Sequence, residues 1–202
     1  AAARIGRGST VYRIGGAQAI AALAFGTESV PRVEVIAGPG NAYVTEAKRQ
    51  VFGAVGIDML AGPSELVVLA DAKASAICVA ADLLSQAEHD EDAYVALVTD
   101  SEPLARRGER EVTRQSRLLP RKAILDASLS RADVFLVRSR KEGIDAVNRL
   151  APEHLCIATG DPWGALGGIR NAGTAFLGPH SPVAVGDYLA GINHTLPTGG
   201  AA

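Results

Sequence analysis

The sequence predicts an α/β protein built on a parallel sheet covered by helices on both faces. Three observations predict it. Short β-branched runs alternate with helical patterns along all 202 residues. The runs are continuously apolar instead of alternating, which marks strands buried on both sides. Gly-Pro turns, "AGPGN" at 37–41 and "AGPSE" at 61–65, punctuate the rhythm as strand-end turns do.

The elements follow in order. Thr10–Ile14, "TVYRI", reads as a strand, and Gly15-Gly16 turns it into a helix over Ala17–Ala24. Val33–Ala37 is the next strand, and "AGPGN" leads into a helix over Ala42–Val51 with Asn41 as its natural N-cap. "AGPSE" separates this set from the next and marks a lobe boundary near residues 61–65. Strands then follow at Leu66–Ala70, Tyr94–Val98, Asp133–Val137, Leu155–Ala158 and Thr174–Leu177. Helices fill the intervals at Ala74–Glu88, Leu104–Arg117, Gly143–Leu150 and Trp163–Arg170. Residues 178–200 carry neither pattern, and a long irregular loop in a compact α/β chain is usually functional. Both Gly-Pro turns are expected at strand ends, where open α/β sheets bind ligands.

Composition excludes several classes. Acids and bases are interspersed and the formal charge is −2, so no basic stripe points to nucleic acid. No apolar stretch reaches the ~18 residues of a membrane span. Cys78 and Cys156 sit far apart in apolar segments and read as buried thiols of a reducing, cytoplasmic compartment. No charged-then-apolar segment resembling a signal peptide is present. The chain opens "AAARIGRG" and stops at "LPTGGAA", with Met59 its only methionine; both ends read as cuts through a longer protein.

Three stretches can carry chemistry. In "SQAEHD", Gln86 and His89 lie three apart and share one helix face, so both could reach one ion. The same residues also fit a polar helix C-terminus, with His89 near the negative end of the dipole. "APEHL" sets Glu153 beside His154 before a strand, two sensible general bases, with Pro152 biasing Ala151 to extended backbone. The 178–200 loop adds Asp187, Tyr188, His180 and His194.

Taken together, "GGAQAIAALAFGTESVP", "GPGNAYVTEAKRQV", "IDMLAGPSE", "DLLSQAEHD", "PEHL" and "GDYLAGINHTLPTGG", in this order, resemble the histidinol dehydrogenase family across essentially the whole chain. The resemblance implies Rossmann-like parallel sheets flanked by helices, in parts of two lobes. Residues 1–63 would belong to an NAD-proximal lobe, and 64–202 to a lobe carrying zinc and the catalytic residues. It implies NAD-linked, zinc-dependent oxidation of L-histidinol to L-histidine through the aldehyde. Gln86, His89 and Asp187 match zinc ligands that also meet the substrate, and Glu153 and His154 match the acid–base pair. Ser64 and His194 match positions beside the substrate, and Gln18 and Asn41 match positions that touch NAD. The family is homodimeric, and a further zinc-ligating His and a substrate-binding Glu come from a C-terminal tail beyond Ala202. Two alternatives stay open: a paralogous zinc dehydrogenase for another small alcohol such as sulfopropanediol, and a non-catalytic fragment.

Overall fold

A computed structural model of the chain describes residues 10–60, 62–191 and 196–199, with Asp187 and Tyr188 described by backbone alone. The chain divides into two compact units, Ala1–Ala61 and Gly62–Ala202.

The first unit contains α1 (Ala17–Phe25), β1 (Val35–Ile36), α2 (Ala42–Val51) and β2 (Gly56–Ile57). The two short strands pair in parallel, Val35 with Gly56 and Ile36 with Ile57. Ile20 and Ala24 of α1 pack with Ile36, Val51 and Val55 in a small core. Asn41 caps α2: its Oδ1 accepts the Val44 N–H at 3.2 Å. The run Thr10–Ile14 is not a strand. Val11 is 68% exposed and no described strand lies alongside, and β-branched composition makes a strand only where a partner edge exists.

The sequence reading also missed a buried ion pair here. Lys48, in the last turn of α2, reaches Asp58 Oδ1 at 2.6 Å and donates to the Gly38 carbonyl at 2.5 Å. Asp58 Oδ2 accepts the Gly38 N–H at 2.8 Å. The pair thus pins the "AGPGN" turn at the end of β1. Burial alone would raise the Asp58 carboxyl; the Lys48 ammonium and the Gly38 and Met59 N–H groups outweigh it and hold the carboxyl below its ordinary value.

The second unit is an all-parallel, five-stranded sheet in the order β5-β4-β3-β6-β7. Its strands are β3 (Glu65–Ala70), β4 (Tyr94–Thr99), β5 (Asp133–Leu136), β6 (His154–Ala158) and β7 (Thr174–Leu177). The helices are α3 (Ala76–Ala87), α4 (Glu102–Ser116), α5 (Lys122–Leu129), α6 (Arg140–Leu150), α7 (Pro162–Leu166) and a single turn, α8 (Val183–Val185). Side-chain oxygens start four of these six: Ser75, Ser101 and Ser139 accept the N–H three residues on, and the Asp161 carboxylate does the same for α7.

The period of two splits the sheet into two faces. Leu66, Val68, Ala70 and Cys156 meet Val79, Leu83, Leu84 and Ala87 of α3, Leu104 of α4 and Leu125 of α5. Val67, Leu69, Leu155 and Ile157 meet Ala146 and Val147 of α6 and Ala165 of α7. Each such Val or Leu contributes about 1.5–3 kcal/mol on burial, so β3, buried from Leu66 to Ala70, anchors both cores.

Four further expectations change. The helix Lys122–Leu129 was not legible, because its eight residues hold only a short stripe through Leu125 and Leu129. The helix expected over Trp163–Arg170 stops at Leu166, before Gly167 and Gly168. Residues 178–200 are not irregular throughout, since α8 and a π-helical turn at Gly186–Ala190 occupy part of them. Cys78 is exposed, on the outer side of α3 away from Val79 and Ala80, while Cys156 is buried as expected.

Candidate active site

The segment that delivers Glu153 and His154 begins at the end of α6. Ala151 caps this helix in the left-handed region, at φ 45 and ψ 59, with its N–H on the Val147 carbonyl at 2.8 Å. The extended backbone expected before Pro152 is therefore not adopted. The sharp reversal from helix to strand sets the conformation, and it places a strained residue immediately before the couple. His154 then enters the sheet as the first residue of β6, paired with Leu66 on one side and Thr174 on the other.

Glu153 is 6% exposed and His154 9%. Glu153 Oε2 lies 3.4 Å from His154 Nδ1. Nδ1 also lies 3.1 Å from the Glu65 carbonyl oxygen. A carbonyl only accepts, so Nδ1 carries a proton, and in the neutral ring the basic lone pair is then on Nε2. The Phe176 ring stands beside the imidazole, centroids 6.1 Å apart. The Glu65 N–H donates to Glu153 Oε2 at 3.1 Å, which fixes the carboxylate against the ring. A neighbouring carboxylate stabilises the positive charge the imidazole gains on taking a proton. A carboxylate and an imidazole held together in this way are chemically able to exchange protons with a bound molecule.

Gln86 and His89 lie at the C-terminal end of α3, where the His89 N–H donates to the Gln86 carbonyl at 3.1 Å. Gln86 is 6% exposed, and its side-chain amide makes no hydrogen bond among the described residues. The Gln86 amide oxygen and the exposed imidazole three residues on are donors that fit one ion. No cluster of three or more His, Cys, Asp or Glu side chains that could hold a metal occurs among the described residues. The described donors therefore fit part of a metal shell and not a whole one. The backbone of Asp187 lies in the π-helical turn Gly186–Ala190, directly after α8, whose Val183 joins the core formed with α3. The Asp187 side chain and all of His194 lie outside the described residues.

One turn before Gln86, Asp82 shares its helix face. Burial pushes its carboxyl up to about 6. Burial and, secondarily, the Asp82 carboxylate also raise the Cys156 thiol, which keeps this sulfur protonated and inert. Neither Asp82 nor Glu65 was singled out in the sequence. Asp82 had a signal in its i, i+4 spacing to Gln86; Glu65 had only its place in "AGPSE".

These groups share one edge of the sheet. Ser64 and Glu65 open β3, and Ser64 offers its carbonyl to the Tyr94 N–H at 3.0 Å. Glu153 and His154 open β6, and α3 ends where the chain returns to β4. "AGPSE" thus stands at the amino end of a strand, not at the carboxyl end where open sheets commonly bind ligands. The carboxyl edge holds its own cleft of about 120 Å³, lined by Asp71, Asp100, Arg140 and Thr159 among others. In the first unit Gln18 is exposed beside Gly16, and Asn41 serves as the α2 cap.

A doubly covered parallel sheet defines an α/β protein of the Rossmann-like class, here with a buried carboxylate–imidazole couple at one edge. More particularly, the chain belongs to the histidinol dehydrogenase family, whose profile matches residues 1–202. It is 56% identical over 199 residues to histidinol dehydrogenase of Nitrobacter winogradskyi, covering 98% of this chain and 46% of that protein. It is 53% identical over 203 residues to that of Bacillus cereus, covering 100% of this chain and 47% of that protein. The crystal structure of histidinol dehydrogenase from Elizabethkingia anophelis superposes with a TM-score of 0.92 at 44% identity, covering 95% of this chain and 44% of that one. A propionaldehyde dehydrogenase from Clostridium phytofermentans shares the fold alone, at a TM-score of 0.54 and 13% identity over 98% of this chain and 58% of that one. The chain spans about half the length of the curated relatives it matches.

Proposed function

We propose that this chain carries the acid–base and metal-binding half of a zinc- and NAD-dependent L-histidinol dehydrogenase, acting through L-histidinaldehyde to L-histidine. The observation that supports it most is the buried Glu153–His154 couple, with Nδ1 protonated against the Glu65 carbonyl. Gln86 and His89, with Asp187, would hold the zinc; Ser64 and His194 would meet the substrate; Gln18 and Asn41 would meet NAD. The first lobe, 1–63, would serve the dinucleotide and the second, 64–202, the metal and the proton chemistry, in a cytoplasmic homodimer.

When bound, zinc would act as a Lewis acid that anchors the substrate nitrogens, and NAD⁺ would accept hydride. His154 Nε2 takes the hydroxyl proton as the alcohol carbon loses hydride, which leaves the aldehyde. Glu153 then takes a proton from water as its oxygen adds to that aldehyde, while His154 returns its proton to the carbonyl oxygen, which gives the hydrate and restores the imidazole as a base. His154 accepts a hydroxyl proton of the resulting hydrate as the second hydride departs, which leaves the acid. Loss of either base is expected to cost about 10²–10⁴-fold in its step.

The test uses a chimera in which these residues replace the aligned segment of the Nitrobacter winogradskyi relative. His154→Gln should depress both oxidations. Glu153→Gln should depress conversion of aldehyde to acid and spare alcohol oxidation. Retention of histidinol turnover by both variants sinks the proposal, and so does oxidation of a sulfonated diol in place of histidinol.

A further inference from the structure

We infer that Glu65 is a positioning residue for the Glu153–His154 couple, fixing which imidazole nitrogen acts as base. This rests on the proposed acid–base reading. It adds a residue that does not itself reach the reacting atoms.

Glu65 opens β3 directly across from Glu153, since Leu66 pairs with His154. Three of its groups face the couple. Its N–H donates to Glu153 Oε2 at 3.1 Å, and the Glu153 N–H returns toward Glu65 Oε2 at 3.4 Å. Each residue thus offers its carboxylate to the other's backbone, a reciprocal exchange at the end of the strand ladder. The Glu65 carbonyl receives His154 Nδ1 at 3.1 Å. Its second carboxylate oxygen accepts the Gly199 N–H at 2.9 Å. Thr198 in the same segment accepts the Gly62 N–H at 2.5 Å. The side chain therefore clamps β3, the start of β6 and residues 198–199 together, and the clamp holds the carbonyl where the imidazole needs an acceptor.

The consequence is electronic as well as steric. A neutral imidazole has two tautomers, and only the one protonated at Nδ1 leaves Nε2 able to take a proton. An acceptor at Nδ1 also favours the imidazolium, because a charged donor makes the stronger hydrogen bond. Removal of the clamp should release both preferences.

The test reads the tautomer directly, by long-range ¹⁵N–¹H NMR of the 202-residue chain, with the His154 signals assigned by their loss in His154→Gln. The wild type and Glu65→Gln, which keeps one acceptor oxygen, should show Nδ1–H. Glu65→Ala should show a mixture of tautomers. In the chimera, Glu65→Ala should lower kcat about 10-fold or more with KM within about twofold, and Glu65→Gln should recover most of it. The acid limb of the Glu65→Ala pH–rate profile should move to lower pH, since the imidazolium loses its support. An unchanged tautomer, kcat and acid limb in Glu65→Ala overturn the inference. The NMR measurement needs no substrate, so it decides Glu65 even if histidinol proves not to be the substrate.

Discussion

A methyl group placed on Gly173 would lie 2.7 Å from the backbone oxygen of Glu153, and 3.3 Å from Pro197 Cδ. No real β-carbon tolerates the first contact, and the opposing atom is main chain, which cannot swing away. Gly173 also donates its N–H to Pro152 at 3.0 Å, so the two segments are tied there. Gly173→Ala is therefore expected to push the start of β6 outward and shift Glu153 by a few tenths of an ångström. Displacements of that order cost catalysis heavily. We expect a 10- to 100-fold fall in chimera turnover with the fold retained, measured by steady-state kinetics alongside circular dichroism.

Zinc should depend on the end of α3. Gln86→Ala and His89→Ala are each expected to weaken zinc binding by about 10-fold or more, because each removes one donor from a shell of about four. Titration calorimetry on the 202-residue chain reads this without any turnover. Equal zinc affinity in wild type and both variants would remove these residues from the metal site.

Lys48 and Asp58 form the one buried ion pair described in the first unit. Lys48→Met leaves Asp58 without its cation and should destabilise that unit by about 3 kcal/mol. Because the Asp58 carboxyl is held low, its contribution is full above about pH 4 and is lost as acid protonates it. The gap between wild type and variant should accordingly close as the pH falls below the ordinary carboxylate range. Hydrogen exchange of the α2 amides against pH measures it.

Asp82 works in the opposite direction. Its carboxyl, raised to about 6 by burial, still holds a proton in the folded chain at pH values where the unfolded chain has released it. Stability should therefore fall as pH rises from about 4 to 6, and the cost is complete above that. Asp82→Asn is expected to stabilise the chain by about 1–2 kcal/mol at pH 7, a figure reduced for partial exposure. The advantage should vanish below pH 4 in urea titrations.

Much of this was legible in the residues. Continuous runs such as Leu66–Ala70 and Leu155–Ala158 announced strands with two covered faces, and Asn41 announced the start of α2. The adjacency of Glu153 and His154 drew attention to itself. Other features depend on partners far along the chain. "TVYRI" had strand composition without a strand beside it. Ala151 took a left-handed turn that the neighbouring proline argued against, because the return from α6 to β6 demanded it. Glu65 looked like an ordinary charged residue after a turn; its role exists only because β3 and β6, 88 residues apart, lie in register. Cys78 sat in an apolar run, yet helical rotation carried it outward.

The imidazole of His154 belongs to a strand's hydrogen-bonded ladder, not to a loop. Such a mounting allows the backbone little travel: the base of the ring can shift only if the sheet shears. Any opening and closing during a reaction cycle must then fall to whatever approaches it, and variation among relatives in speed or substrate size should accumulate in those approaching segments while the strand ends stay still.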